Sequence, residues 1–255
     1  FSELGTLHSV LYDDSMIWHD AFYRFVNIDD PDALVKVLGP LCKNAGVLGS
    51  ILVAHEGING MLAGTEEQLK SVHDWLESDS RFTDMLVKRT ACETTPFKRL
   101  KIKLKKEIVP LGLPDVDAAN KTGINVSPQE WRELIKRDDV ILLDNRNSFE
   151  YEHGHFKNAI DPGVTYFRDF ANYMEKHLST WQEQNKTVAM YCTGGIRCEK
   201  TTAWLADLGV QVYQLEGGIL NYFKEIPDAE EDYDGSCFVF DERRELTTKL
   251  ETKKV

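Results

Sequence analysis

The 255-residue chain has no long apolar run, no excess of positive charge and no paired-cysteine motif. Its longest nearly apolar stretch, residues 46–54, is far below the roughly 20 residues a helix needs to cross a bilayer. No segment reads as a secretory leader with a cleavage site. A membrane is therefore not expected as a partner, and a cytoplasmic location is. The five cysteines (42, 92, 192, 198 and 237) contain no Cys-x-x-Cys, which argues against a cysteine-built zinc site. Their odd number and wide spacing do not read as a disulfide framework. With 42 acids against 30 bases, the net charge of -12 excludes a uniformly basic nucleic-acid binder and leaves a local basic patch open. There is no internal repeat.

What is present is ordinary globular composition, 42 % hydrophobic and 28 % charged. The length suits one or two domains, large enough to fold without a metal or disulfide staple. Residues 1–18 show no period and are set apart as an arm. Residues 21–28 are aromatic and β-branched and read as a strand. Asp30-Pro31 then starts a helix whose apolar face is Leu34, Leu38 and Leu41, with Pro40 as a kink or early stop and Gly46 as its end. Two apolar arms flank Asn59-Gly60, which reads as a hairpin turn. Thr65 and Gln68 form a capping box opening a second helix. Residues 97–109 alternate, with Leu100, Ile102 and Leu104 on one side and Lys101, Lys103 and Lys105 on the other. The order β-α-β-β-α-β is the ferredoxin-like, acylphosphatase-like pattern, assigned to residues 19–109.

Residues 110–122 contain two prolines and no period, and are read as a linker. After it, strands alternate with helices. Ser127 and Glu130 form a capping box with Pro128 at the first helical position, and residues 140–144, 188–191 and 210–215 read as strands. Residues 199–208 read as a helix. A mostly parallel sheet covered by helices is expected over residues 123–227. Residues 225–242 carry eight acids and no base. Residues 228–255 are read as an acidic, solvated connector and tail, in which Cys237-Phe-Val-Phe240 would add an edge strand.

The most informative segment follows the strand that ends at Tyr191. Cys192 sits at a strand's carboxyl end, where open α/β sheets place ligands. Gly194 and Gly195 let the backbone turn so that successive N–H groups of residues 193–197 point at one atom. The next helix directs its positive end to the same place, and Arg197 adds a fixed cation. All three favour a thiolate, so Cys192 is expected to be a nucleophile with Arg197 beside it, and Thr193, Gly194, Gly195 and Ile196 are expected to cradle substrate. Sulfur transfer through a persulfide and phosphoester cleavage through phosphocysteine both suit such a loop. Four residues separate Cys192 from Arg197, one fewer than a phosphate cradle requires, which favours the smaller ligand.

At these residues the sequence resembles a known family. Asp144-Asn-Arg146, Glu150, Gly154-His155 and Leu215-Glu-Gly-Gly218 are similar to rhodanese motifs. Glu56-Gly-Ile-Asn-Gly60, Phe97-Lys-Arg-Leu-Lys101 and Cys192-Thr-Gly-Gly-Ile-Arg-Cys-Glu-Lys200 together resemble the bacterial tRNA uridine hydroxylases that carry a rhodanese domain. The resemblance runs from about residue 20 to about residue 242 and implies conversion of the tRNA wobble uridine to 5-hydroxyuridine, with molecular oxygen as co-substrate. No site for flavin, haem or iron is evident, so no resident cofactor is expected and the electron donor stays open. Plain sulfurtransfer through a Cys192 persulfide is the alternative.

Other residues carry weaker expectations. Cys198 is placed mainly as a packing residue at the helix start, with resolution of an oxidised or persulfidated Cys192 as its other reading. Arg146 is expected to hold an anionic substrate or to pair with Glu150. His153-x-His155 lacks a third ligand nearby and is read as structural, so no metal is expected. Residues 88–106 hold eight Lys or Arg and one acid, and Lys98, Arg99, Lys101, Lys103 and Lys105 are expected to contact the tRNA backbone.

Overall fold

A computed structural model describes residues 16–253. Most of the expected arm, residues 1–15, lies outside them. Strand β1 (Ile17–Phe25) begins earlier than the aromatic run suggests. Helix α1 (Pro31–Ala45) starts as its cap residues require, with the Asp30 carboxylate accepting from the Ala33 N–H at 2.9 Å, and Gly46 ends it with φ 78°. It does not stop at Pro40. Leu34, Leu38 and Cys42 are all buried against the sheet, and that burial outweighs the backbone hydrogen bond a helical proline forfeits.

Strands β2 (Leu48–Ala54) and β3 (Gly57–Gly64) are joined through His55-Glu56, not through Asn59-Gly60. The Asn-Gly pair lies inside β3 and serves packing. Asn59 Nδ2 donates to the Ile108 carbonyl at 3.0 Å. A Cβ at position 60 would sit 2.2 Å from Phe22 Cζ, so only glycine leaves room for that ring. Helix α2 (Glu66–Glu77) forms with its capping box as expected.

The last strand of the ferredoxin-like unit is β4 (Val87–Cys92), antiparallel to β1; the alternating lysine segment is not that strand. It forms β5 (Leu100–Leu104), an addition outside β2 and parallel to it, so the order is β4-β1-β3-β2-β5. Half-exposed and carrying two charges, β4 has no clear alternation, while β5 mimics an amphipathic strand. Leu38, Ile51, Ile58, Leu69 and Val72 fill the core under the two helices. Neither α1 nor α2 covers the opposite face of this sheet.

The second unit comprises β6 (Ile124–Val126), α3 (Pro128–Leu134), β7 (Val140–Asp144), α4 (Ser148–His153), β8 (Gly154–Phe156), α5 (Phe170–Glu183), β9 (Thr187–Tyr191), α6 (Ile196–Asp207), β10 (Tyr213–Leu215) and α7 (Gly218–Glu225). Its main sheet, β6-β10-β9-β7, is parallel throughout. One face packs Trp131 of α3 and Ile219 and Tyr222 of α7. The other packs Met174 of α5 and Leu205 of α6, and the same apolar cluster takes in Phe25, Ala54 and Ile108 from the first unit. The two units therefore share one apolar cluster, and each keeps a second cluster of its own.

The acidic segment is not a solvated connector. Strand β11 (Tyr233–Gly235) pairs with β8, and β12 (Cys237–Phe238) pairs with β13 (Glu245–Leu246) in a separate small ladder, so Cys237-Phe-Val-Phe240 adds no edge to the main sheet. Ala229, Tyr233, Cys237, Val239 and Leu246 are buried. Their apolar side chains alternate with the acids, so a charge count hides the buried face.

Candidate active site

Strand β9 ends at Tyr191, and α6 begins at Ile196, three residues earlier than the sequence pattern suggests. The loop between them wraps the sulfur of Cys192. The Gly195 N–H donates to Sγ at 3.1 Å. Burial by itself would push the thiol up. It is overridden by the Cys198 thiol donating to the sulfur, by the Arg197 charge and by the Cys198 and Gly195 N–H groups, so Cys192 ionises well below the ordinary thiol range. Cys198 moves the other way, raised by burial and by its bond to the Cys192 sulfur. The Cys198 sulfur itself accepts from Asn145 Nδ2 at 3.8 Å, and the residue is buried at the start of α6.

Arg197 does not point an open guanidinium at a ligand. Its Nη1 and Nη2 meet Glu150 at 2.7 and 2.9 Å, and Nη2 also donates to Thr193 Oγ1 at 3.2 Å. Burial opposes ionisation of Glu150, but the Arg197 charge outweighs it and keeps the carboxyl below its usual range. With those donors engaged, Arg197 acts on the sulfur through its field.

Arg146 is not on the wall of the site. Its guanidinium is locked against Asp144 (2.8 and 2.6 Å) and the Gly154 carbonyl (2.6 Å), fully buried, and Tyr191 OH donates to the same Asp144 at 2.8 Å. A short Asp-x-Arg turn lets the Arg146 side chain fold back onto Asp144, and Glu150 pairs with Arg197 instead. The Arg146 motif therefore holds the β7–α4 turn and leaves Glu150 free for Arg197.

A cavity of about 450 Å³ lies between the Cys192 loop and the face of the first sheet opposite α1 and α2. Cys192, Thr193, Gly194, Ile196 and Arg197 line it from one side, and Tyr23, Asn59, Met61 and Lys88 from the other. Tyr166, Arg168, Phe240 and Arg243 complete it, the last two from the acidic segment. Its volume is within the range of small-ligand sites.

Several of these groups escaped sequence reasoning because they look like surface residues of the first domain. Tyr23 OH donates to Glu199 Oε1 at 2.6 Å. Burial raises the Glu199 carboxyl. Lys88 Nζ reaches the carbonyls of Gly194 and Gly217. Glu56, at the hairpin turn, accepts from the Ile108 N–H and pairs with buried Lys200 at 2.6 Å; Lys200 also meets Glu107 at 2.6 Å. The Glu56 motif is thus an inter-unit tie, and its signal was the otherwise odd Lys200 in an apolar helix face. Among the described residues no cluster of His, Cys, Asp or Glu has the form of a metal site.

The basic segment does not make one patch. Arg89 clamps Asp20 with two bonds of 2.8 Å, and Lys88 turns inward, both on the far edge from β5. Lys98 pairs with Glu242 at 3.1 Å, and Arg99 is exposed. Lys101 and Lys103 share a face of β5. Lys103 stands beside Leu52, whose side of the sheet walls the cavity. Lys105 follows the end of β5, although its N–H still bonds the Val53 carbonyl at 2.8 Å.

A cysteine at a parallel-strand end, cradled by a glycine loop and by a helix start, defines a rhodanese-type domain, here facing an acylphosphatase-like domain. The family profiles agree: "UPF0176 acylphosphatase like domain" matches residues 19–108 and "Rhodanese-like domain" matches residues 127–225. The tRNA uridine(34) hydroxylase of Legionella pneumophila is 46 % identical over 232 residues, covering 91 % of each chain. Proteins of the same name from Picosynechococcus and Acinetobacter baumannii are 45 % and 46 % identical over 91 % of this chain, and 77 % and 73 % of theirs. The chain belongs to the tRNA uridine(34) hydroxylase family.

Proposed function

We propose that this protein hydroxylates C5 of the wobble uridine of tRNA, with Cys192 as the reactive residue. The observation that carries the reading is a stabilised thiolate on the wall of a nucleotide-sized cavity, in a chain whose relatives are named for that reaction. The uracil ring enters between Met61 and Asn59 on one side and the Cys192 loop on the other. The thiolate adds to C6, which makes C5 electron-rich toward oxygen. One atom of molecular oxygen is transferred to C5, and loss of the C5 proton then expels the Cys192 thiolate from C6 and restores the C5–C6 double bond; the other oxygen atom leaves as water with two electrons and two protons from an external donor. Thr193 and Ile196 contact the base, and the Arg197–Glu150 pair holds the field around the sulfur. With isotopically labelled dioxygen, mass spectrometry should find the label in the 5-hydroxyuridine of tRNA treated with the protein and a reductant. A label drawn from water, or a thiolated base in its place, would overturn the reading.

The tRNA backbone is proposed to run along the β5 edge. Lys101 and Lys103 project roughly 7 Å apart on the cavity side of the sheet, and Lys105, Lys98 and Arg99 extend the stripe. Replacing Lys101, Lys103 and Lys105 by Ala is expected to lower tRNA affinity without sequence preference. The slope of log affinity against log salt should fall by about 0.7–0.9 for each phosphate that no longer has a lysine to neutralise it. Filter binding across a salt series measures this, and equal slopes for wild type and variant would move the RNA to another face.

A further inference from the structure

We propose that Lys88, carried on β4 of the first unit, is a positioning residue for Cys192: it clamps the Gly194–Gly195 peptide so that its N–H points at the sulfur. Lys88 Nζ donates to the Gly194 carbonyl, and to the Gly217 carbonyl at 3.0 Å. The other end of that same peptide is the Gly195 N–H, which donates to Cys192 Sγ at 3.1 Å. A trans peptide is planar, with C=O and N–H directed to opposite sides. A cation that fixes the carbonyl on one side therefore fixes the donor on the other.

The clamp matters because of where it acts. The peptide joins two glycines, and Gly195 has φ 102°, so the chain itself gives little resistance to a flip. The first unit packs directly on this point: a Cβ at position 195 would lie 2.8 Å from the Tyr23 hydroxyl. Lys88 crosses the Tyr23 ring at 5.5 Å to reach the loop. Burial lowers its pKa, and no carboxylate is within ion-pair distance of it among the described residues. An ammonium placed there solely to join the units would find a carboxylate, as Lys200 does with Glu56 and Glu107. Lys88 instead spends its donors on the carbonyls of two active-site loops.

The groups facing the Cys192 sulfur come from three elements: Arg197, Cys198 and Glu199 on α6, Tyr23 on β1 and Lys88 on β4; Glu150 acts through Arg197 and Glu216 lies near Lys88. Of these, among the described residues, only Lys88 hydrogen-bonds the Gly194–Gly195 peptide from outside the loop, while Tyr23 packs on it without a hydrogen bond. Ionisation of the thiol is all that the clamp governs. The clamp would survive failure of the tRNA reading, and its own failure would leave that reading standing.

The test titrates the thiolate of the full chain by its ultraviolet absorbance, with Cys192→Ser as the blank. Lys88→Met is close in volume and should keep the fold, checked by thermal melting, but removes donor and charge. Its midpoint should rise by about one pH unit, the size expected for losing a close cation and an aligned N–H donor. Lys88→Gln keeps a donor without charge and should stay within about half a unit of wild type. An unchanged midpoint in folded Lys88→Met overturns the proposal. A Lys88→Gln shift as large as that of Lys88→Met also overturns it, because charge and not peptide orientation would then be responsible. Should Lys88→Met fail to fold, Lys88→Leu takes its place as the variant without donor or charge, with the same expected rise, and an unchanged midpoint in it overturns the proposal.

Discussion

Replacing Cys192 by serine is expected to cut 5-hydroxyuridine formation by on the order of a thousand-fold or more, because a hydroxyl at this position has no accessible anion. The substitution is nearly isosteric. The serine oxygen can still accept the Gly195 N–H that now meets the sulfur at 3.1 Å, so the melting temperature should barely move. The same variant isolates the thiolate signal. Burial pushes Cys42 up to about 11 and Cys237 up to about 12, so both stay protonated at neutral pH. A thiolate absorbance present in wild type and absent from Cys192→Ser is the expected pair of spectra. The sign of the pH dependence follows: the anion is the active form, its pKa is depressed, and activity should persist on acidification until pH falls through that depressed value. Nucleoside profiles unchanged in a strain carrying only Cys192→Ser would remove Cys192 from the reaction.

Asp144→Ala is expected to produce the largest loss of stability. It would leave the Arg146 guanidinium buried without its carboxylate, the costly way to disturb an ion pair. Breaking one side of such a pair costs about 3–5 kcal/mol, which for a chain of this length is a fall in melting temperature on the order of 10 °C. Tyr191 OH would lose its acceptor as well, at the base of the Cys192 loop. Replacing both partners by apolar side chains, Asp144→Leu with Arg146→Met, should recover much of the loss, since the uncompensated charge is then gone. Denaturant unfolding of the single and double variants measures both. A single-variant loss below about 1 kcal/mol would mean that water reaches Arg146.

Local chemistry made much of this protein legible. The Asp30-Pro31 start, the Gly46 stop and the capping boxes at Thr65 and Ser127 act over three or four residues, and each formed as expected. Strands β7 and β9 are short apolar runs bounded by polar residues, so burial on both faces of a parallel sheet followed directly. The Cys192 loop was readable for a similar reason. A cysteine, two glycines and an arginine in strand–loop–helix order concentrate N–H donors and positive charge on one atom with little help from the rest of the chain.

Sequence and structure part where a pattern has more than one structural use. Asn59-Gly60 is good turn chemistry, yet the ring of Phe22 needs a residue without Cβ, and the turn falls at His55-Glu56. The lysine alternation of β5 is good strand chemistry, but alternation does not say which edge a strand joins. Arg146 and Arg197 are equally cationic in sequence, and only their distances to Asp144 and Glu150 separate a buried brace from the cation beside the Cys192 sulfur.

The sequence by itself determined the two-part α/β architecture and the glycine loop that cradles the Cys192 sulfur, because these rest on contacts within a few residues of one another. Only the tertiary structure decided what faces that cradle. The side of the first sheet opposite α1 and α2 brings Tyr23 and Lys88 against Cys192 across separations of more than one hundred residues, and the acidic segment folds back to bring in Phe240 and Arg243. Such contacts leave no periodic trace in the chain, since they are set by how two apolar surfaces merge into one cluster and not by the spacing of the residues that meet there.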